Sequence, residues 1–498
     1  MKKWVYMLMI ISLFFLNGLS AHAAEKENRK WQDESVYLIM IDRFNNGDQS
    51  NDEDVEVNNP EGYHGGDFQG VIDQLDYIKD MGFTAISLTP VFDNEAGGYH
   101  GYWVKDFYKT DEHFGSIASL KKLIQEAHKR GMKVILEFEI NHVGPKHTWL
   151  NDGEKKDWFL AVPNQEKDLP LLNQNNEEVK KYLIDAGKWW IEETDIDGYQ
   201  LKLQEDTSAA FLNEFAKEVK TVKENFYLLG ETKNADSKEA EAFLESGGDS
   251  ITDYPLAAEL REVFSETNQS FAPLFSRLEQ NQANFSGTAL IGTFMDNQYT
   301  VRFTNNMVEK NEHPGPRWKQ ALTFLYTTPG IPFVYYGSEI ALNGGEVPDN
   351  RKQMNFRTDT DIVDYIKKIG SLRSELPSLT RGTMDVLYEK DGMAVYKRVY
   401  HEETTVIAIN NTTKTQTVTL SADELAADME LRGMLNNDLV RSDKDQYHIT
   451  IDRDESEIYL LSNKSGINYS YFIVLGAVLI AFFIFLGLVI KRSRRQQS

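Results

Sequence analysis

Between residues 36 and 337 the chain repeats one pattern eight times: a short apolar run, then a stretch with helical character. The runs are Val36–Phe44, Ala85–Pro90, Lys133–Ile140, Gly198–Leu203, Phe226–Glu231, Ile251–Tyr254, Thr288–Asp296 and Ile331–Gly337. Strands joined by helices form parallel sheets, and such sheets must be covered on their faces. Phe68–Met81, with Val71, Leu75 and Ile78 at helical spacing, Ile117–Arg130 and Val179–Glu193 are among the covering helices. Eight units of this kind predict an α/β fold, a (β/α)8 TIM barrel over residues 31–377. Functional groups of such barrels gather at the C-terminal ends of the strands.

The third connection is long and irregular, which predicts a small inserted subdomain over residues 141–174. After Pro377 the period drops to two: Val386–Tyr388, Ala394–Val399, Thr404–Ile409 and Thr415–Leu420 alternate, with Asp391-Gly392 as a hairpin turn. A C-terminal antiparallel β-sandwich over residues 378–462 is the expectation. Both chain ends read as membrane signals. Residues 1–24 resemble a signal peptide: Lys2 and Lys3, the apolar Val5 to Leu16, then Ala21-His22-Ala23. After a polar linker (463–470), Tyr471 to Ile490 is uncharged for 20 residues and precedes Lys491, Arg492, Arg494 and Arg495. That pattern predicts a single transmembrane helix, a basic cytoplasmic tail (491–498) and a type I protein with its ectodomain outside.

The charge balance, 53 Lys plus Arg against 77 Asp plus Glu, excludes a nucleic-acid partner, which would call for a basic surface. The absence of cysteine excludes disulfides, zinc–cysteine sites and thiol catalysis. Trp189 and Trp190 are expected in the core.

Several motifs in order along these strands resemble the α-amylase family, glycoside hydrolase family 13. They are Asp42-Arg43-Phe44, Gly65-Gly66-Asp67-Phe68-Gln69-Gly70, Tyr99-His100-Gly101-Tyr102-Trp103, Asn141-His142, and Gly330-Ile331-Pro332 through Tyr335-Tyr336-Gly337. The resemblance spans about residues 31–462 and implies α-glucosyl hydrolysis or transfer by a retaining pair of carboxylates, with a third acid holding the sugar. On that template strand four carries the nucleophile, but here reads Asp197-Gly198-Tyr199-Gln200-Leu201-Lys202, so Gln200 replaces an arginine and Lys202 the nucleophile. Strand five keeps the general-acid position in Glu231. Strand seven reads Asp296-Asn297-Gln298-Tyr299, so Gln298 replaces a sugar-binding histidine and Tyr299 the third acid; Glu137 replaces an aspartate on strand three.

A lysine cannot form a glycosyl ester, and its charge opposes the cationic centre of the reaction. The expectation is therefore a Lys202–Glu231 ion pair across the cleft, and a membrane-anchored, catalytically inactive protein that binds glycan or scaffolds a membrane-protein partner. Its competitor is a tethered, active hydrolase or transferase of α-1,4-glucans, with Glu205 or Asp206 as base in an inverting scheme. His100, Tyr102 and His142 match sugar-contacting residues of the family; glycan binding and simple packing both account for them. The resemblance also implies a structural Ca2+ held by Asn46, Asp48, Asn51, Asp52, the Gly65 carbonyl and Asp67; hard oxygens at such spacing suit this cation. For a second calcium Asn141 matches a ligand, but Leu171 and Asp206 stand where an aspartate and a histidine are usual.

Overall fold

The structure is a computed structural model, and it describes residues 29–161, 169–233, 235–285, 290–464 and 469–496. The expected signal peptide, residues 1–24, lies outside the described residues.

The first twelve strands are β1 (Val36–Ile39), β2 (Ala85–Leu88), β3 (Phe92–Asn94), β4 (Val104–Thr110), β5 (Lys133–Phe138), β6 (Phe159–Ala161), β7 (Leu171–Leu172), β8 (Gly198–Lys202), β9 (Tyr227–Glu231), β10 (Ser250–Thr252), β11 (Leu290–Phe294) and β12 (Ile331–Tyr335). Eight of them close a parallel barrel in the order β1-β12-β11-β10-β9-β8-β5-β2. Strands β1, β2, β9 and β12 are buried at every position, as strands covered on both faces must be. The apolar run at Val36–Phe44 is shorter as a strand than expected, because Ile41–Phe44 turns into a single helical turn.

The helices carry their own start signals. Asp67, Asn176 and Ser208 each accept a backbone N–H at the first turn of Phe68–Asp80, Glu177–Thr194 and Ala209–Val222. A Cβ on Gly187 would stand 2.8 Å from the Phe215 ring, so the bare backbone there lets the last two of these helices pack closely. Trp190 is fully buried and donates to the Phe107 carbonyl at 2.7 Å, while Trp189 packs partly buried against the same core. The region over 141–174 contributes one small antiparallel pair, β6–β7, and the connection after β2 another, β3–β4.

The C-terminal unit comprises β13 (Thr383–Lys390), β14 (Met393–Tyr400), β15 (Glu403–Asn410), β16 (Gln416–Ser421), β17 (Met429–Gly433), β18 (Leu439–Arg441), β19 (Gln446–Ile451) and β20 (Ser456–Asn463). A six-stranded sheet faces the β16–β19 pair, and Val395, Val406, Leu431 and Tyr459 meet Val418, Leu420, Tyr447 and Ile449 between them. Asp391 (φ 49°) and Gly392 (φ 83°) make the two-residue turn between β13 and β14, both in the left-handed region that such a hairpin demands.

The expected transmembrane helix is corrected. A helix does form over Tyr469–Gln496, but among the described residues no helix is long and apolar enough to cross a membrane. The single-pass type I placement, with an extracellular ectodomain and a membrane partner, falls with that helix.

The loop that presents His100 and Tyr102 depends on Gly101, whose φ is +89° and whose added Cβ would lie 2.2 Å from the Pro90 carbonyl oxygen. Gly101→Ala is expected to destabilise the protein by about 1–3 kcal/mol, read as a lower urea midpoint at unchanged slope.

Candidate active site

Parallel pairing aligns the ends of β5, β8 and β9: Glu137 lies opposite Gln200, and Lys202 opposite Glu231. These residues meet at the C-terminal rim of the barrel, where the fold places chemistry. Glu231 is 3% exposed; its Oε2 accepts from Gln200 Nε2 at 2.8 Å and its Oε1 from the Tyr254 hydroxyl at 2.5 Å. Tyr254 accepts in turn from Asn297 Nδ2 at 2.6 Å.

A second carboxyl lies beside it. Glu137, also 3% exposed, accepts from the Tyr102 hydroxyl at 2.9 Å, Gln298 Nε2 at 3.2 Å and the Tyr299 hydroxyl at 3.2 Å. Burial, and next the charge of Glu231, push Glu137 up to about 8, while Lys202 and the Tyr102 hydroxyl pull the other way and lose. Glu137 therefore keeps its proton until the solution turns basic.

The expected Lys202–Glu231 ion pair is absent among the described residues. The Lys202 ammonium instead stands 4.2 Å from the centroid of the Tyr299 ring, so the residues at the nucleophile and third-acid positions interact with each other. His142 is turned toward Glu139, 3.6 Å from Nδ1 to Oε1, and its backbone N–H donates to the same carboxylate. Burial alone would raise Glu139, but the His142 side chain and Lys202 hold it below the usual carboxylate range. His100 Nδ1 accepts the Tyr102 backbone N–H at 3.0 Å, and burial drives that ring's pKa down to about 3, so it is neutral. Glu205 and Asp206 are exposed in the turn after β8, away from the buried pair. Sequence reasoning placed Glu137 only as a mild substitution and missed Tyr254 and Glu139. The motif template has no position for a phenol from the strand-six connection, and only the folded barrel brings it to Glu231.

The loop after β1 offers a cation fit. Asn46 Nδ2 donates to Asp52, and Asn51 Nδ2 donates to the His113 carbonyl at 2.7 Å. The Oδ1 atoms of both asparagines are buried with no hydrogen-bond partner, which a hard cation would satisfy. Gly65, left-handed at φ +86°, lies against Asn46 and Asp52, since its added Cβ would stand 2.6 Å from Asn46 Nδ2 and 2.9 Å from Asp52 Oδ1. Asp48 turns to Ser50, and Asp67 accepts the backbone N–H groups of Gly47, Asp48 and Gly70. At the doubtful second site, Asn141 Oδ1 is already engaged by Gln174 and Thr207.

A closed parallel barrel with buried carboxyls at its C-terminal rim defines a glycoside-hydrolase-like architecture. The chain belongs to the α-amylase family: the model of the α-amylase catalytic domain matches residues 38–168 and 148–375, and that of the α-amylase C-terminal domain matches 382–459. It is similar to the solved α-amylase of Anoxybacillus, at 53% identity and a TM-score of 0.85 over 88% of this chain and 100% of that one. The α-amylase from Geobacillus thermoleovorans, solved with acarbose, is 52% identical with a TM-score of 0.83 over the same shares. A cyclomaltodextrinase of Thermoanaerobacter pseudethanolicus is 32% identical over 429 residues, 78% of this chain and 72% of its own. The Beta/alpha-amylase of Paenibacillus polymyxa is 32% identical over 87% of this chain, which spans only 38% of that longer protein. These relatives are named as working α-glucan enzymes, which overturns the expectation of an inactive, membrane-anchored scaffold.

The raised Glu137 carries a pH signature. A folded-state pKa near 8 against an ordinary 4.5 gives stability that is fully present below about 4.5 and lost as pH rises through about 8. Urea unfolding across that window is expected to show wild type losing stability relative to Glu137→Gln, whose amide does not titrate.

Proposed function

We propose that this chain cleaves or transfers α-1,4-linked glucosyl units, using Glu231 and Glu137 as its carboxyl pair. The observation that carries this reading is the burial of Glu231 at the end of β9 with Glu137 beside it, each fixed by phenol and amide donors. The kinship with the amylases and the cyclomaltodextrinase supports the substrate class, as does the acarbose bound by the Geobacillus relative.

The roles follow from where the proton sits. Glu137, protonated near neutral pH, donates to the glycosidic oxygen as the bond from the anomeric carbon breaks and its electron pair leaves with that oxygen. Glu231, fixed by Gln200 and Tyr254, takes a proton from the water or sugar hydroxyl that attacks the same carbon. Lys202 offers no carboxylate for a glycosyl ester, so the displacement is direct and the anomeric configuration inverts. Tyr102, Gln200 and Gln298 contact the pair, and with His100 and His142 nearby they would supply hydrogen bonds and an aromatic face for one sugar ring. Lys202 and Tyr299 are half-buried, and the Tyr299 hydroxyl donates to Glu137.

Purified protein incubated with maltooligosaccharides is expected to release reducing ends, and Glu231→Gln to lower the rate at least ~100-fold. Lys202→Asp, which restores a carboxylate opposite Glu231, is expected to raise it by a similar factor. Release no faster than that of Glu231→Gln would overturn the reading.

Calcium is the second part of the proposal. Asn46, Asn51, Asp52 and the Gly65 carbonyl would hold it, with Asp48 and Asp67 shaping the loop. Such an ion supplies no chemistry to the carboxyl pair; it braces the loop after β1. Calcium is expected to raise Tm over an EGTA control by about 2–4 °C or more, and the rise should vanish in Asp52→Ala. An equal rise in both proteins would remove the site.

A further inference from the structure

A cavity of about 330 Å³ opens between the helices Tyr254–Phe264 and Phe303–Glu309. Its inner wall is Tyr254, the phenol that donates to Glu231, packed edge-on against Phe294 at 4.8 Å. Arg261 forks onto Asn306 Oδ1 through Nε at 3.1 Å and Nη2 at 2.7 Å, which fixes a guanidinium in the wall. Glu309 and Lys310 complete the polar side, and Ala258 is an exposed small residue at the lip.

We propose that this cavity is a second binding site, for a small neutral polyhydroxyl ligand the size of a single sugar ring. The volume sits at the low end of ligand pockets, about 300–1,000 Å³, so it suits a single ring and not a polymer strand. The lining carries both signs: Arg261 and Lys310 stand with Glu262 and Glu309, and Lys310 lies 3.6 Å from Glu262. That balance disfavours a strongly charged ligand and offers donors and acceptors at fixed positions to hydroxyl groups. The aromatic wall of Tyr254 and Phe294 supplies an apolar face for ring C–H groups. Tyr254 belongs to the cavity and also donates to Glu231, so it is a positioning residue through which an occupant reaches the carboxyl. That link to Glu231 rests on the function proposed above; binding in the cavity does not.

The test is calorimetric titration of the full chain with glucose and with maltose. Saturable glucose binding is expected, weakened at least ~10-fold by Ala258→Trp, which fills the lip, and likewise by Asn306→Ala, which frees Arg261. Glucose is expected to bind within about twofold as tightly when acarbose already fills the barrel rim. Far-UV circular dichroism identifies any variant that fails to fold, and the remaining cavity variant then decides. No saturable binding, or binding untouched by the folded cavity variants, overturns the proposal. Binding abolished by acarbose but kept in the cavity variants puts the sugar at the barrel rim and overturns it equally. Failure of the glycosidase reading shows separately, as absent reducing-end release.

Discussion

Barrel closure is the constraint on which the rest depends. β1 pairs with β2 on one side and β12 on the other, so every strand has two neighbours and no edge remains. All eight strands run the same way, and their C-terminal ends share one rim. Side chains alternate along a strand, so Gln200 and Lys202, two apart on β8, project to the same side. Register then sets Glu137 and Glu231 on either side of them. Residues far apart in sequence become a site because the barrel leaves them no other place.

Within that site the dominant cost is keeping two carboxylates in a space with little water. The protein meets it with a proton on Glu137 and with phenols in place of bulk solvent: Tyr254 serves Glu231, and Tyr102 and Tyr299 serve Glu137. Lys202 lowers the cost without touching either acid, since its ammonium rests on the Tyr299 ring. A buried ammonium–carboxylate pair must repay the desolvation of both ions, whereas a ring face asks less of the cation. That balance accounts for an observed geometry opposite to the one expected from charge alone.

Much of the architecture is legible along the chain. The eight apolar runs, the period change after Pro377 and the Asp391-Gly392 turn all correspond to observed elements, because each rests on local periodicity or on a left-handed turn. Glu231 and Gln200 are likewise found at the rim, carried there by motif order on the strands. Readings that depend on long-range partners fared worse. The orientation of Lys202 depends on a ring from β11's following loop, and the proton on Glu137 depends on the distance of another strand's acid. The C-terminal apolar run was judged by composition; the described helix there is not long and apolar enough to cross a membrane.

The amino-acid sequence by itself determined the family, the strand order and the identity of the substituted positions, because periodicity and motif spacing are properties of neighbouring residues. Only the tertiary structure decided that Glu137 and Glu231 share a buried pocket, that Tyr254 reaches Glu231, and that Lys202 lies on Tyr299. Those outcomes are set by which strands adjoin and by what burial does to charge, and neither is written in any local stretch of the chain.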